Sequence, residues 1–188
     1  MEFVPFGIEG AWLIHSQPHV DHRGSFTRLW CAEELAGHGL PTQTVQWSQS
    51  YNRNRHTLRG MHYQAAPHAE AKWVCCLHGA IYDVLVDLRE HSPTFMQWKA
   101  VTLESGVASH IFIPEGVAHG FLTLSEHAIV QYAISEYYVA DAARGVRWDD
   151  PALGIQWPCS PQVISDRDAS FPLLTLGRAL WQDSTSAA

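Results

Sequence analysis

The sequence predicts an all-β sandwich or barrel. Apolar and polar residues alternate in many short runs, and Gly, Pro, Asn and Asp separate those runs. Only Ala32–Gly37 and a stretch after Asp141 carry a brief helical pattern, so the helices expected are short and flanking. In chain order, strands are predicted over 45–50, 57–64, 72–77, 80–87, 98–103, 109–113, 120–124 and 129–135. The two central runs flank His78-Gly79, a two-residue turn with glycine where a positive φ is wanted, and so read as a hairpin. In that register Lys72, Val74, Ile81, Asp83 and Leu85 share one face, with Lys72 diagonal to Asp83. The proline-rich tail over 151–172 is expected to wrap irregularly over the barrel.

A length of 188 residues with 46% hydrophobic and 16% charged residues suits one well-filled core, so a single domain over 1–188 is expected. The formal net charge of −7 argues against nucleic acid or an anionic membrane as partner. A small anion is still compatible where arginines concentrate, as they do at Arg53, Arg55 and Arg59. Cys31, Cys75, Cys76 and Cys159 show neither zinc spacing nor the density of a disulfide scaffold, and they read as reduced thiols. The first residues lack the basic and apolar regions of a signal peptide, and no apolar run is long enough to span a bilayer; a cytoplasmic protein is expected.

The run Leu58-Arg59-Gly60-Met61-His62-Tyr63-Gln64 sets a guanidinium and an imidazole three residues apart around a glycine. Arginine offers a permanently charged fork that matches phosphate, and histidine a base that works near neutrality. The pairing therefore suits an anionic substrate that must be deprotonated. Lys72, Asp83, His119, Tyr132 and Asp168 recur downstream at strand and turn positions able to share one cavity.

Pro114-Glu115-Gly116-Val117-Ala118-His119-Gly120-Phe121 resembles the second half-motif of the cupins, small jelly-roll barrels. Metal-binding cupins carry two histidines one residue apart in the first half, whereas this chain has His62-Tyr63-Gln64 there. Among its twelve histidines no two fall on one strand face or helix turn with a carboxylate at ligand spacing, and no metal is expected.

A wider resemblance, to the dTDP-4-dehydrorhamnose 3,5-epimerase family of nucleotide-sugar epimerases, rests on motifs that lie in order along the chain. They are Asp21-His22-Arg23-Gly24-Ser25-Phe26, the run from Leu58 to Gln64, Gly79-Ala80-Ile81-Tyr82-Asp83-Val84, Asp87-Leu88-Arg89 and Ser92-Pro93-Thr94-Phe95. Ala118-His119-Gly120-Phe121, Trp148-Asp149-Asp150-Pro151 and Ile164-Ser165-Asp166-Arg167-Asp168 complete the set. The resemblance implies a cupin-type jelly-roll barrel and, without a cofactor, proton abstraction beside the 4-keto group of a dTDP-linked 6-deoxyhexose, at C3 and C5 or at C3 alone. His62 then resembles the base and Asp168 the carboxylate that orients it. Lys72 resembles the cation that stabilises the enolate, with Asp83 fixing it, and Tyr132 resembles the general acid. Arg59 and Arg23 resemble diphosphate-binding arginines, and His119 a residue lining the same pocket. Phe26, Gln46 and Tyr138 are expected beside the substrate.

The resemblance also implies a homodimer in which the Arg23 segment crosses to the neighbouring subunit. One departure bears on the nucleotide: Arg28 stands where many members carry glutamate, which reverses a charge. Rival readings are a 3,4-ketoisomerase using the same enolate, a sugar-nucleotide-binding cupin without turnover, and a metal cupin oxygenase.

Overall fold

The computed structural model describes residues 1–174; the last fourteen residues of the span expected to form one domain lie outside the described residues. Among the described residues thirteen strands dominate: β1 Glu2–Pro5, β2 Trp12–His15, β3 His19–Asp21, β4 Gly24–Phe26, β5 Gln46–Asn52, β6 Leu58–Gln64 and β7 Lys72–His78. They continue with β8 Ala80–Asp87, β9 Trp98–Glu104, β10 Ser109–Ile113, β11 Val117–Thr123, β12 Ala128–Ile134 and β13 Ala143–Gly145. The helices are short, α1 at Ala32–Gly37 and α2 at Asp166–Ala169. One sheet runs β1-β2-β10-β7-β12-β5 and the other β13-β6-β11-β8-β9. From β5 to β12 the strands divide between the two sheets in jelly-roll order, as the cupin-type resemblance implies. The sheets do not close into a barrel; they face each other across a shared core that includes Val74, Ile111 and Val130 from one and Ile81, Leu85 and Phe121 from the other.

The predicted hairpin does not form. β7 pairs with β10 and β12, β8 pairs with β11 and β9, and the two belong to different sheets. Gly79, with φ of +77°, turns a corner between the sheets instead. The reason lies in the inner faces. Val74 and Cys76 on β7 and Ile81 and Leu85 on β8 oppose one another across the core, where all four are buried. Lys72 and Asp83 accordingly face one interior from opposite walls.

Helix α1 places Leu35, with Leu40 just beyond it, on Trp73, Phe112 and Ala133, covering the outer face of the six-stranded sheet. Leu153, Ile155 and Trp157 from the irregular tail pack on Met61, Val84, Val86 and Ala118, covering the other. The helical pattern after Asp141 resolves into a single 3-10 turn at Ala140–Ala142 followed directly by β13. Strands β3 and β4 pair only with each other. That ribbon holds Val20 at 75% exposure and Phe26 at 74%, a large apolar commitment to solvent for two strands that alone are marginally stable.

Candidate active site

Strand periodicity alone would send Arg59 and His62, three residues apart, to opposite faces of the sheet. Their common orientation comes from a bulge. His119 on β11 lies opposite His62 and Phe121 opposite Arg59, so the single residue Gly120 faces both Gly60 and Met61. The two glycines permit this approach: a Cβ on Gly60 would stand 2.5 Å from the Gly120 Cα, and the φ of Gly60 is +124°. The extra residue returns both Arg59 and His62 to the inner face.

Asp168, only 5% exposed, is delivered to the other side of His62 by α2. His62 Nε2–H donates to Asp168 Oδ1 at 2.7 Å, and the Gly60 N–H donates to Oδ2 at 3.0 Å. Ser165 caps the helix by accepting the Asp168 N–H at 3.1 Å. Burial pushes the Asp168 carboxyl up, but the hydrogen bonds it accepts from His62, Gly60 and the Ser165 hydroxyl outweigh it and hold the group below the usual carboxylate range. With Nε2–H given to this anion, Nδ1 carries the imidazole lone pair. Phe171 meets the ring edge-on at 5.9 Å between centroids.

The facing wall comes from the six-stranded sheet. Gln46, Ser48 and Ser50 on β5, Lys72 on β7 and Tyr132 on β12 line, together with Arg59, His62, His119 and Phe121, one cavity of about 370 Å³. Burial raises the Tyr132 phenol well above its ordinary range, so it keeps its proton, and its hydroxyl meets Ser50 Oγ at 3.2 Å. Arg59 donates through Nε to Asn52 Oδ1 at 2.7 Å, which aims its guanidinium. Gln46 donates to the Glu136 carbonyl at 2.7 Å, and Tyr138 stands at the rim, 60% exposed.

Asp83 does not fix Lys72. It is fully buried and accepts from His119 Nε2 at 2.7 Å, forming a second His–Asp pair. Lys72 is held instead by Glu70, with Nζ to Oε1 at 2.7 Å. The expected partnership assumed adjacent strands, and the separation of β7 from β8 removes it. Arg23, Phe26 and Arg28 are also absent from this cavity. Arg23 forks onto Asp21 within the β3–β4 ribbon, with Nη2 to Oδ2 at 2.6 Å, while Phe26 faces solvent beside it. Arg28 pairs with Glu34 of α1. Ser48, Ser50, Glu70 and Ile134 line the cavity without being singled out in the sequence. Ser48 and Ser50 follow Gln46 at the period of a strand, and Glu70 precedes Lys72 by two residues; that spacing is the signal for each. Among the described residues no group of three or more His, Cys, Asp or Glu side chains is arranged to hold a metal ion.

The family model described as dTDP-4-dehydrorhamnose 3,5-epimerase matches residues 5–175. The chain belongs to the dTDP-4-dehydrorhamnose 3,5-epimerase family. A dTDP-4-dehydrorhamnose 3,5-epimerase of Salmonella typhimurium is 40% identical over 178 residues, 93% of this chain and 96% of that protein. The crystal structure of dTDP-4-dehydrorhamnose 3,5-epimerase from Bacillus anthracis, with TDP and PPi bound, superposes with a TM-score of 0.88 at 41% identity, covering 92% of this chain and 99% of that one. The structure of dTDP-6-deoxy-D-glucose-3,5-epimerase from Legionella pneumophila, in complex with dTDP-4-keto-L-rhamnose, gives 0.88 at 34% identity over 95% of each chain. This member of the epimerase family thus matches its relatives nearly end to end, and its cavity lies inside the matched span.

Proposed function

We propose that the protein epimerises C3 and C5 of a dTDP-linked 4-keto-6-deoxyhexose. The observation that carries this reading is a single cavity with a His–Asp base on one sheet and a protonated phenol on the other. His62 Nδ1 takes the proton α to the carbonyl, and the C–H electron pair moves into an enolate whose charge rests on the C4 oxygen. The Lys72 ammonium stabilises that oxygen, and the His119 imidazole, oriented by Asp83, lines the same pocket. Tyr132 O–H then delivers a proton to the opposite face of the carbon, inverting it; the phenolate recovers its proton and His62 releases its own to solvent. Repetition at the second α carbon completes the reaction. Arg59 holds the diphosphate, and Gln46 and Tyr138 border the sugar nucleotide.

Our reading is also of a cytoplasmic homodimer whose β3–β4 ribbon carries Arg23 and Phe26 to the partner's cavity. The exposed Val20 and Phe26, and a guanidinium remote from its own cavity, support that exchange. Among the described residues no helix is long and apolar enough to cross a membrane.

The test is NMR of dTDP-4-keto-6-deoxyglucose incubated with the protein in heavy water, beside a His62→Ala control. Deuterium at C3 and C5 is expected, with none in the control. Exchange at C3 alone would make the protein a mono-epimerase, and no exchange at either carbon would turn the reading to a binding protein.

A further inference from the structure

Glu70 is a carboxylate in the wall of the cavity with no part in the proton transfers above. It lies two residues before Lys72, the first residue of β7, and both side chains line the cavity. Its Oε1 is 2.7 Å from Lys72 Nζ, and the two side chains are only 10% and 11% exposed. A lysine head on a four-carbon stem is poorly defined unless something fixes it. Here one ammonium proton is committed to Glu70, which leaves the other two free to point at the substrate. The remaining charged and titratable groups lining the cavity are Arg59 and His62 from β6, His119 from β11, Tyr132 from β12 and Tyr138 beyond it. Among them Glu70 is the one carboxylate, so it is also the counter-charge to the ammonium beside a guanidinium and two imidazoles.

We infer that Glu70 is a positioning residue of the epimerase, acting on the reaction through Lys72. The inference rests on the enolate-stabilising role of Lys72 proposed above.

Glu70→Ala is expected to lower kcat for epimer formation about tenfold or more while KM and TDP affinity stay within about twofold, with Glu70→Gln recovering most of the loss. In a Lys72→Ala background the same Glu70→Ala change is expected to cost less than about twofold, because the group it acts through is gone. An equal loss in both backgrounds, or a loss located in TDP affinity, would overturn the inference. A second readout needs no turnover. The chain has two lysines, and exposed Lys99 serves as an internal reference for competitive acetylation read by mass spectrometry. Acetylation of Lys72 relative to Lys99 is expected to rise severalfold in Glu70→Ala and less in Glu70→Gln; an unchanged ratio would overturn the inference. Absence of turnover in the unmodified protein together with a responsive labelling ratio would sink the epimerase reading and leave the Glu70–Lys72 pairing standing.

Discussion

At the scale of single residues, the proposed chemistry rests on proton ownership assigned through environment. His62 and Tyr132 face one cavity, yet the first gives Nε2–H to an anion and keeps a basic nitrogen, while burial holds the second as a neutral acid. Asp168 is central because its two oxygens serve the imidazole and the backbone of the bulge together. Asp168→Asn is expected to lower kcat about a thousandfold while leaving TDP affinity nearly unchanged, measured by steady-state kinetics and calorimetry. The same residue sets a pH dependence. A carboxyl held below its unfolded value adds stability that is fully present above about pH 4 and is lost as pH falls through its folded value. Urea melts at pH 7 should therefore show the wild type ahead of Asp168→Asn, and the gap should narrow by pH 3. A constant gap would mean that Asp168 acts through packing alone.

At the scale of elements, the bulge in β6 decides whether there is a site at all. It turns a spacing of three residues into a shared face and brings the Gly60 N–H onto Asp168. Gly60→Ala would force a Cβ to within 2.5 Å of the Gly120 Cα at a φ of +124°, with the His119 carbonyl oxygen at 2.9 Å. A loss of about 2–4 kcal/mol in unfolding free energy is expected, with activity lost even where the protein still folds, since Arg59 and His62 cannot both keep their orientation. Thermal melts with activity at a permissive temperature separate the two effects. Helix α2 lies in the tail expected to be irregular: Ser165-Asp166-Arg167-Asp168 carries a cap and an acidic third residue, but a start signal alone does not mark a single turn. The tail was read as irregular because a four-residue helix has no apolar periodicity to detect.

At the scale of the whole molecule, the proposed exchange of the β3–β4 ribbon makes each cavity the work of two chains. Intersubunit complementation gives the prediction its sharpest form. Arg23→Ala is expected to raise KM about tenfold or more, and His62→Ala to abolish turnover. In a heterodimer of the two variants, one cavity regains both native residues if Arg23 crosses over, so activity should return to about half that of the unmodified dimer. If Arg23 serves its own chain, both cavities stay defective and nothing returns. Light scattering of the unmodified protein should give the mass of a dimer, and a monomer would remove the basis for exchange.

Local pattern determined part of this protein: the positions of β5 to β12 to within a few residues, the helix at Ala32–Gly37, and the meeting of His62, Lys72, His119 and Tyr132 in one cavity with Asp168 bonded to His62, whereas β1 to β4 and β13 are strands that it does not predict. The strands were legible because alternation reports which side of a strand is buried, and the side chains because the ordered motifs that resemble the epimerase family mark them. Pairing was not legible. A turn at His78-Gly79 is equally compatible with a hairpin and with a corner between sheets, and only the opposition of Val74 and Cys76 to Ile81 and Leu85 across the core chooses the corner. That choice gave Lys72 to Glu70 and Asp83 to His119. Which carboxylate meets which cation depends on distances between strands far apart in sequence, and those distances exist only after the two sheets have packed.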